Sequence, residues 1–334
     1  MLKLDNQFIK LIKSKSNKNL SFIDEIATVL NINYDAAYRR VNGKTSLSLN
    51  DSIKLAKHFK VSLDKLFTVG DPSKIIVNKT IDITDLQTLE NYFKNVQKRL
   101  KPIEYNEKAI MYYSAKELPV FHILSNNSLF RFKIFVWLQI LGGDNDINRI
   151  SFEEFKISDS LINTVIEVGK QYRNVKITEL WSNNILSTTL HQIQYFYESN
   201  LLSYKNALKI CEELTITIKN IENDCYIGRR NNHNKTQFKL FYNPLMNSNN
   251  NVLIKIPHYK VTFVSYSILR YYEIENTQVC ATMERFINNQ IFLSKQISEA
   301  GVKDIILFFK PLYSQINSLI KQINLLKQFP IQKF

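Results

Sequence analysis

Along the first seventy residues, apolar positions recur at helical spacing in short bursts, each closed by polar punctuation. Phe8, Ile9, Leu11 and Ile12 predict a first helix that ends in the polar run Ser14 to Asn19. A second helix, near Ser21 to Leu30, repeats apolar residues at Phe22, Ile23, Ile26, Ala27 and Leu30, with Ser21 and Asp24 placed as a capping pair. Asn31-Ile32-Asn33 follows as a three-residue connection, and asparagine is one of the few non-glycine residues that tolerates a left-handed turn. The third helix runs from Tyr34 to about Asn42 and closes on Gly43. Ser48 and Asp51 cap a fourth, with Leu49, Ile53, Ala56 and Phe59 on one face, and Ser62 to Phe67 supply a short fifth.

Beyond Gly70 the pattern changes. Asp71-Pro72-Ser73 marks a boundary, and "KIIVNKTIDITDL" (74–86) reads as a linker with a short extended piece, followed by a helix from about Thr84 to Leu100. Residues 107–225 are mostly helical in periodicity and rich in aromatics, as in "LFRFKIFVWLQIL" (129–141) and "LWSNNILSTTLHQIQYFYESNLL" (180–202). Three alternating or β-branched stretches, "QFKLFYN" (237–243), "NVLIKIP" (251–257) and "HYKVTFVSYS" (258–267), predict a small antiparallel meander. Before them, "GRRNNHNK" (228–235) is a basic polar loop, suited to an anion or to a solvated hairpin connection. After Pro311, Leu312, Ile316, Leu319, Ile323 and Leu326 alternate at spacings of four and three. That seam reads either as a helix docked on its own domain or as a dimer contact.

Composition narrows the class. A chain of 334 residues that is 45% hydrophobic supports a real core and has room for one small and one large domain. No run of 18 apolar residues occurs, so no membrane span is expected, and the polar N-terminus argues against secretion. Cys211, Cys225 and Cys280 are odd in number and widely spaced, which speaks against a disulfide framework and for a reducing cytoplasm. The net charge of +14 is unevenly spread: through Gly70, ten Lys and two Arg face five Asp and one Glu, a surplus of six in a fifth of the chain. Basicity concentrated at that end is the footprint of a polyanionic partner.

Two helices joined by a three-residue turn, with the small Ala27 where they cross, satisfy the logic of a helix-turn-helix. "FIDEIATVLNIN" (22–33) and "SLNDSIKLAKHFKVSLDKLF" (48–67) resemble the Cro/C1-type (XRE-like) family of DNA-binding domains. The resemblance rests on Gly43-Lys44, Ser48-Leu49, Lys54-Leu55-Ala56-Lys57 and Val61-Ser62-Leu63-Asp64-Lys65-Leu66, all in one register over about residues 5 to 70. Asn31 and Lys60 stand where the family usually has Gly, and the Pro often found before the fourth helix is missing from Lys44-Thr45-Ser46-Leu47. The resemblance implies a lambda-repressor-like five-helix domain that places its third helix in the major groove of double-stranded DNA.

On that third helix, Ala37 and Val41 are expected to face the core with Ile32. The family's base-reading positions then fall on Asn33, Tyr34, Asp35, Tyr38 and Arg39. Asn33 doubles as a helix cap, and Asp35 also suits the helix dipole. Arg39 and Arg40 point about 100° apart on a helix of 3.6 residues per turn, so Arg39 is assigned to DNA and Arg40 to an acid in the bundle. Phosphate contacts are expected from Lys44, Thr45 and Ser46 and from Lys18, in the basic run with Lys13 and Lys15.

Catalytic signatures are weak. His58, His122, His191, His233 and His258 lie far apart, and seven glycines provide no phosphate loop. "EEFK" (153–156) has the acid and lysine flavour of a nuclease core, without recognisable strands around it. The sequence therefore predicts a mainly α, cytoplasmic, dimeric transcriptional regulator without metal or cofactor. Its parts are a helix-turn-helix domain at 1–70, a linker at 71–83 and a mostly helical regulatory or oligomerisation domain at 84–334 with a β insertion near 237–267. The alternatives are an adaptor that uses the helix-turn-helix as an address while its C-terminal domain binds a peptide or protein effector, and an enzyme targeted by DNA binding.

Overall fold

The computed structural model describes residues 2–16, 21–63, 75–125, 127–142, 150–230, 236–245 and 249–328. Its internal contacts divide the chain between Ile76 and Val77.

In the N-terminal unit, α1 (Leu2–Lys13), α2 (Phe22–Leu30), α3 (Tyr34–Val41) and α4 (Leu49–His58) pack around Phe8, Ile9, Ile12, Ile26, Leu30, Ala37, Leu55 and Phe59. The fifth helix expected at Ser62 to Phe67 lies, from Asp64 onward, outside the described residues. Asn31 ends α2 at φ 56°, ψ 52°, and the backbone N–H of Ile32 donates to the Ala27 carbonyl at 3.0 Å. The left-handed residue turns the chain at once, and the next helix begins three residues later, at Tyr34. Ser21 occupies the N-cap position of α2 with extended backbone, but its side chain makes no capping bond, so the expected pair with Asp24 is absent. Ser48 does cap α4, accepting from the Asp51 N–H at 3.0 Å. The buried face of α4 is rotated from the expected one: Leu55, Ala56 and Phe59 enter the core, while Leu49 is 74% exposed. After α4, Lys60 adopts φ 52°, the left-handed conformation that a glycine would take more easily.

The C-terminal unit overturns the expectation of a mainly α fold with a small meander. Among its described residues eight strands form one mixed sheet: β1 (Asn78–Lys79), β2 (Ile110–Ser114), β3 (Ile177–Trp181), β4 (Phe238–Tyr242), β5 (Asn251–Ile256), β6 (Tyr259–Ser267), β7 (Arg270–Ile274) and β8 (Lys295–Gln296), in the order β1-β7-β6-β5-β2-β3-β4-β8. The expected meander survives as β5-β6, extended by β7. Strand β4 leaves it, lying parallel to β3, which is itself parallel to β2. Parallel partners need long crossovers, so β2 and β3 are more than sixty residues apart and separated by helices.

Seven helices complete the described unit: α5 (Leu86–Leu100), α6 (Ser128–Leu141), α7 (Asp159–Arg173), α8 (Ser187–Glu198), α9 (Tyr204–Ile227), α10 (Thr277–Phe292) and α11 (Val302–Gln328). The helix expected from Thr84 is α5, capped by Asp85 with Thr88 in a reciprocal box. Met111, Tyr113, Ile177, Trp181, Phe238 and Leu240 point from the sheet into the main helical layer. Leu180 and Leu253 point the other way, onto Ile287 of α10. Pro311 lies inside α11 and not ahead of it. Leu312, Ile316, Leu319 and Ile323 are buried in the unit's own core, where α11 packs on α9, and Leu326 is half-buried. Their assignment as a dimer seam is therefore corrected: the seam is already occupied within one chain.

One carboxylate sits fully inside this core. Glu179, on the helix-facing side of β3, takes a hydrogen bond from the Tyr172 hydroxyl at 2.6 Å and from Trp181 Nε1 at 2.9 Å, and faces His122 Nε2 at 2.9 and 3.0 Å. Burial by itself would raise its pKa, but His122, Arg230 and the Tyr172 hydroxyl outweigh burial and hold it below the usual carboxylate range. Arg230 belongs to the loop expected to be a solvated basic connection. It is instead buried, with its guanidinium 4.3 Å from the Tyr172 ring centroid and Nη2 donating to the Val175 carbonyl at 2.7 Å. Residues 231–235 of that loop lie outside the described ones.

Candidate nucleic-acid interface

The third helix is short and its two sides differ in kind. Asn33 opens it with extended backbone, and its Oδ1 accepts from the Ala36 N–H at 2.8 Å. This oxygen is committed to starting the helix, one of the two roles the sequence left open for it. Ala37 is fully buried, with Ile32 and Val41 half-buried around it, as the spacing requires.

On the opposite side, Tyr34 and Tyr38 are 49% and 43% exposed, and Asp35 and Arg39 are exposed beside them. Residues four apart on a helix are neighbours, so these side chains form one patch of two aromatic rings, a carboxylate and a cation. Tyrosines held this far into solvent contribute little to the core. Arg40 turns away: its Nε lies 3.2 Å from Asp51 Oδ2, and Nη1 donates to the Ala36 carbonyl at 3.3 Å. Arg40 is thus engaged with an acid inside the bundle, and Arg39 is exposed.

The turn after α3 presents the next group. Gly43 takes φ 69°, which lets the N–H groups of Lys44 and Thr45 both return to the Arg39 carbonyl, at 2.8 and 3.2 Å. With those amides occupied, Lys44, Thr45 and Ser46 offer their side chains outward, and all three are exposed. Lys44 Nζ lies 5.9 Å from the Tyr38 ring centroid, which ties this turn to the outward patch of α3. Lys18 lies outside the described residues.

The remaining sequence candidates have structural positions. Glu153 of "EEFK" accepts from the Ser203 N–H at 2.9 Å and from Asn206 at 2.8 Å, and Glu154 accepts from the Ser151 N–H at 2.8 Å. Both carboxylates serve local turns and helix starts. His58 meets Glu25 at 2.9 Å, and His258 occupies the β5–β6 turn at φ 65°. Sequence reasoning missed the Glu179 cluster; the available signal was a lone carboxylate inside the apolar run "KITELW" (176–181). No helix among the described residues is long and apolar enough to cross a membrane. No protein-family model matches the chain, and no curated protein or solved structure matches it.

Proposed function

We propose that the chain is a sequence-specific DNA-binding transcriptional regulator of Cro/C1 type that inserts α3 into the major groove. The observation that carries this reading is the outward patch of α3, where Tyr34, Asp35, Tyr38 and Arg39 stand exposed while Arg40 is tied to Asp51. Arg39 is suited to a guanine edge, Asp35 to a cytosine amino group, and the tyrosines to thymine methyl groups and sugars. Lys44, Thr45 and Ser46 flank the patch as phosphate contacts that set the register of the helix. The N-terminal surplus of six positive charges supplies the sequence-independent part of the attraction. The regulator acts in the cytoplasm as a dimer, because two half-sites one helical turn apart multiply affinity and specificity.

The test is selection of random duplex DNA by the full-length protein beside the Tyr38→Ala/Arg39→Ala double variant. A sequence motif enriched by the parent and lost in the variant is the expected outcome, and a palindromic motif is expected of a dimer. Absence of any motif, or the same motif from the variant, overturns the assignment of α3.

A further inference from the structure

The C-terminal unit contains a cavity of about 550 Å³ between α5 and the helix-facing side of β2, β5, β6 and β7. That volume falls within the roughly 300–1,000 Å³ of small-molecule sites. Its wall is built by strand alternation: Met111 and Tyr113, Val252 and Ile254, and Phe263 occupy cross-strand partner positions on one face of the sheet. Val96 and Leu100 of α5 close the other side. Tyr113 and Tyr271, both buried, complete the inner wall.

The rim is of another character. Lys98 and Arg99 of α5, exposed, share the mouth with Asn95 and with Lys79 of β1. Glu273 is the single carboxylate among the lining residues, and both its oxygens lie on Arg99 Nη2, at 2.5 and 2.7 Å. Lys79 is paired with Asp82 at 2.7 Å and Arg99 with Glu273, so Lys98, with no ion pair among the described residues, leaves the mouth with a surplus of one positive charge. The cavity is also braced against collapse. Phe121, in its wall, stacks on Tyr172 at 4.2 Å, and the Tyr172 hydroxyl is held by the buried Glu179.

We infer that this cavity is a binding site for a small amphipathic carboxylate, with the apolar body against Met111, Ile254 and Phe263 and the carboxylate at the Lys98–Arg99 rim. The apolar wall gains from removing a hydrocarbon chain from water, and a rim that keeps its cations half in solvent receives an anion without burying it. The inference stands on the C-terminal unit alone and is independent of the DNA-binding reading.

Isothermal titration of the full-length protein with octanoate, decanoate and the alcohols of the same chain lengths tests it. Decanoate is expected to saturate one site per chain, with decanol at least tenfold weaker. Val96→Trp fills the cavity from α5 and is expected to abolish both. Lys98→Ala/Arg99→Ala is expected to bring carboxylate and alcohol within threefold of each other while leaving the alcohol unchanged. Circular dichroism and the thermal midpoint establish that each variant is folded, and the Lys98→Ala single variant, which leaves Arg99–Glu273 in place, replaces the double one if that unfolds. The inference is overturned if no carboxylate of the series saturates a single site, if decanol binds as tightly as decanoate, or if folded Val96→Trp binds like the parent.

Discussion

Replacing Glu179 by Gln keeps the shape of the buried side chain and removes its charge, so it isolates what the carboxylate contributes. Three donors converge on it, from His122, Tyr172 and Trp181, at 2.6 to 3.0 Å. Hydrogen bonds to a charged acceptor are stronger than neutral ones by about 1 kcal/mol each, which gives about 3 kcal/mol for the three. Arg230, stacked on Tyr172, also loses one of the two carboxylates that favour its charge, Asp224 being the other, which brings the expected cost to about 3–4 kcal/mol. A domain stable by about 5–15 kcal/mol would survive with a clearly lowered midpoint. Urea unfolding followed by tryptophan fluorescence reads this unit selectively, because Trp137 and Trp181 are the only tryptophans and both lie in it. The pH dependence supplies a second handle. Since the folded carboxylate titrates below its ordinary 4.5, its contribution is fully present above pH 4.5 and is lost as the pH falls through the lowered value. The variant lacks that step, so the gap between the two proteins narrows in acid. A loss under about 1 kcal/mol at neutral pH, or a gap that is constant into acid, would refute the reasoning.

Lys60→Gly is expected to slow amide exchange over residues 49–63, since relief of left-handed strain of roughly 1–2 kcal/mol outweighs the added freedom of the unfolded glycine; faster exchange contradicts this. Lys44→Ala is expected to lower the salt slope of DNA binding by about one unit without changing the preferred motif. Cys211, Cys225 and Cys280 are buried free thiols; burial pushes Cys211 up to about 12 and raises the other two. A disulfide reagent is therefore expected to modify none of them rapidly in the folded protein and all three in urea. A thiol that reacts fast before unfolding would contradict their burial.

Features set by neighbouring residues were legible in the sequence. Asn31 ending α2, Ser48 capping α4 and the helix after Thr84 each depend on side chains that meet backbone groups a few residues away. The face of α4 was misplaced because Leu49, Ile53 and Ala56 form as good a stripe as Leu55, Ala56 and Phe59, and the choice between them belongs to tertiary packing. The central strands escaped for a different reason. All five residues of β3 are buried, so no polar alternation marks it, and a short apolar run reads equally as helix. The partner of β4 is β3, across two helices of 12 and 24 residues, and nothing in the run 237–243 distinguishes that parallel neighbour from the adjacent β5. The outward patch of α3 was readable because a solvent-facing cluster of Tyr, Asp, Tyr and Arg on a short helix has no packing purpose. The cavity was not, since its wall comes from residues spread between positions 78 and 273.

The two ends of the sheet are finished with strands of only two residues, β1 against β7 and β8 against β4. Around them the backbone continues the covering: Thr80 N–H donates to the Tyr271 carbonyl, Tyr271 N–H to the Thr80 hydroxyl, and Ile297 N–H to the Leu240 carbonyl. A sheet of this width with bare margins would be a template onto which another molecule's strand could add, the first step toward fibrous assembly. Here each border is a stub backed by a loop, too short to offer a register for propagation. The short segment 78–80, within the linker that the sequence reads as carrying a short extended piece, thus covers the β7 edge, and a chain trimmed to begin after it is expected to expose β7 and self-associate.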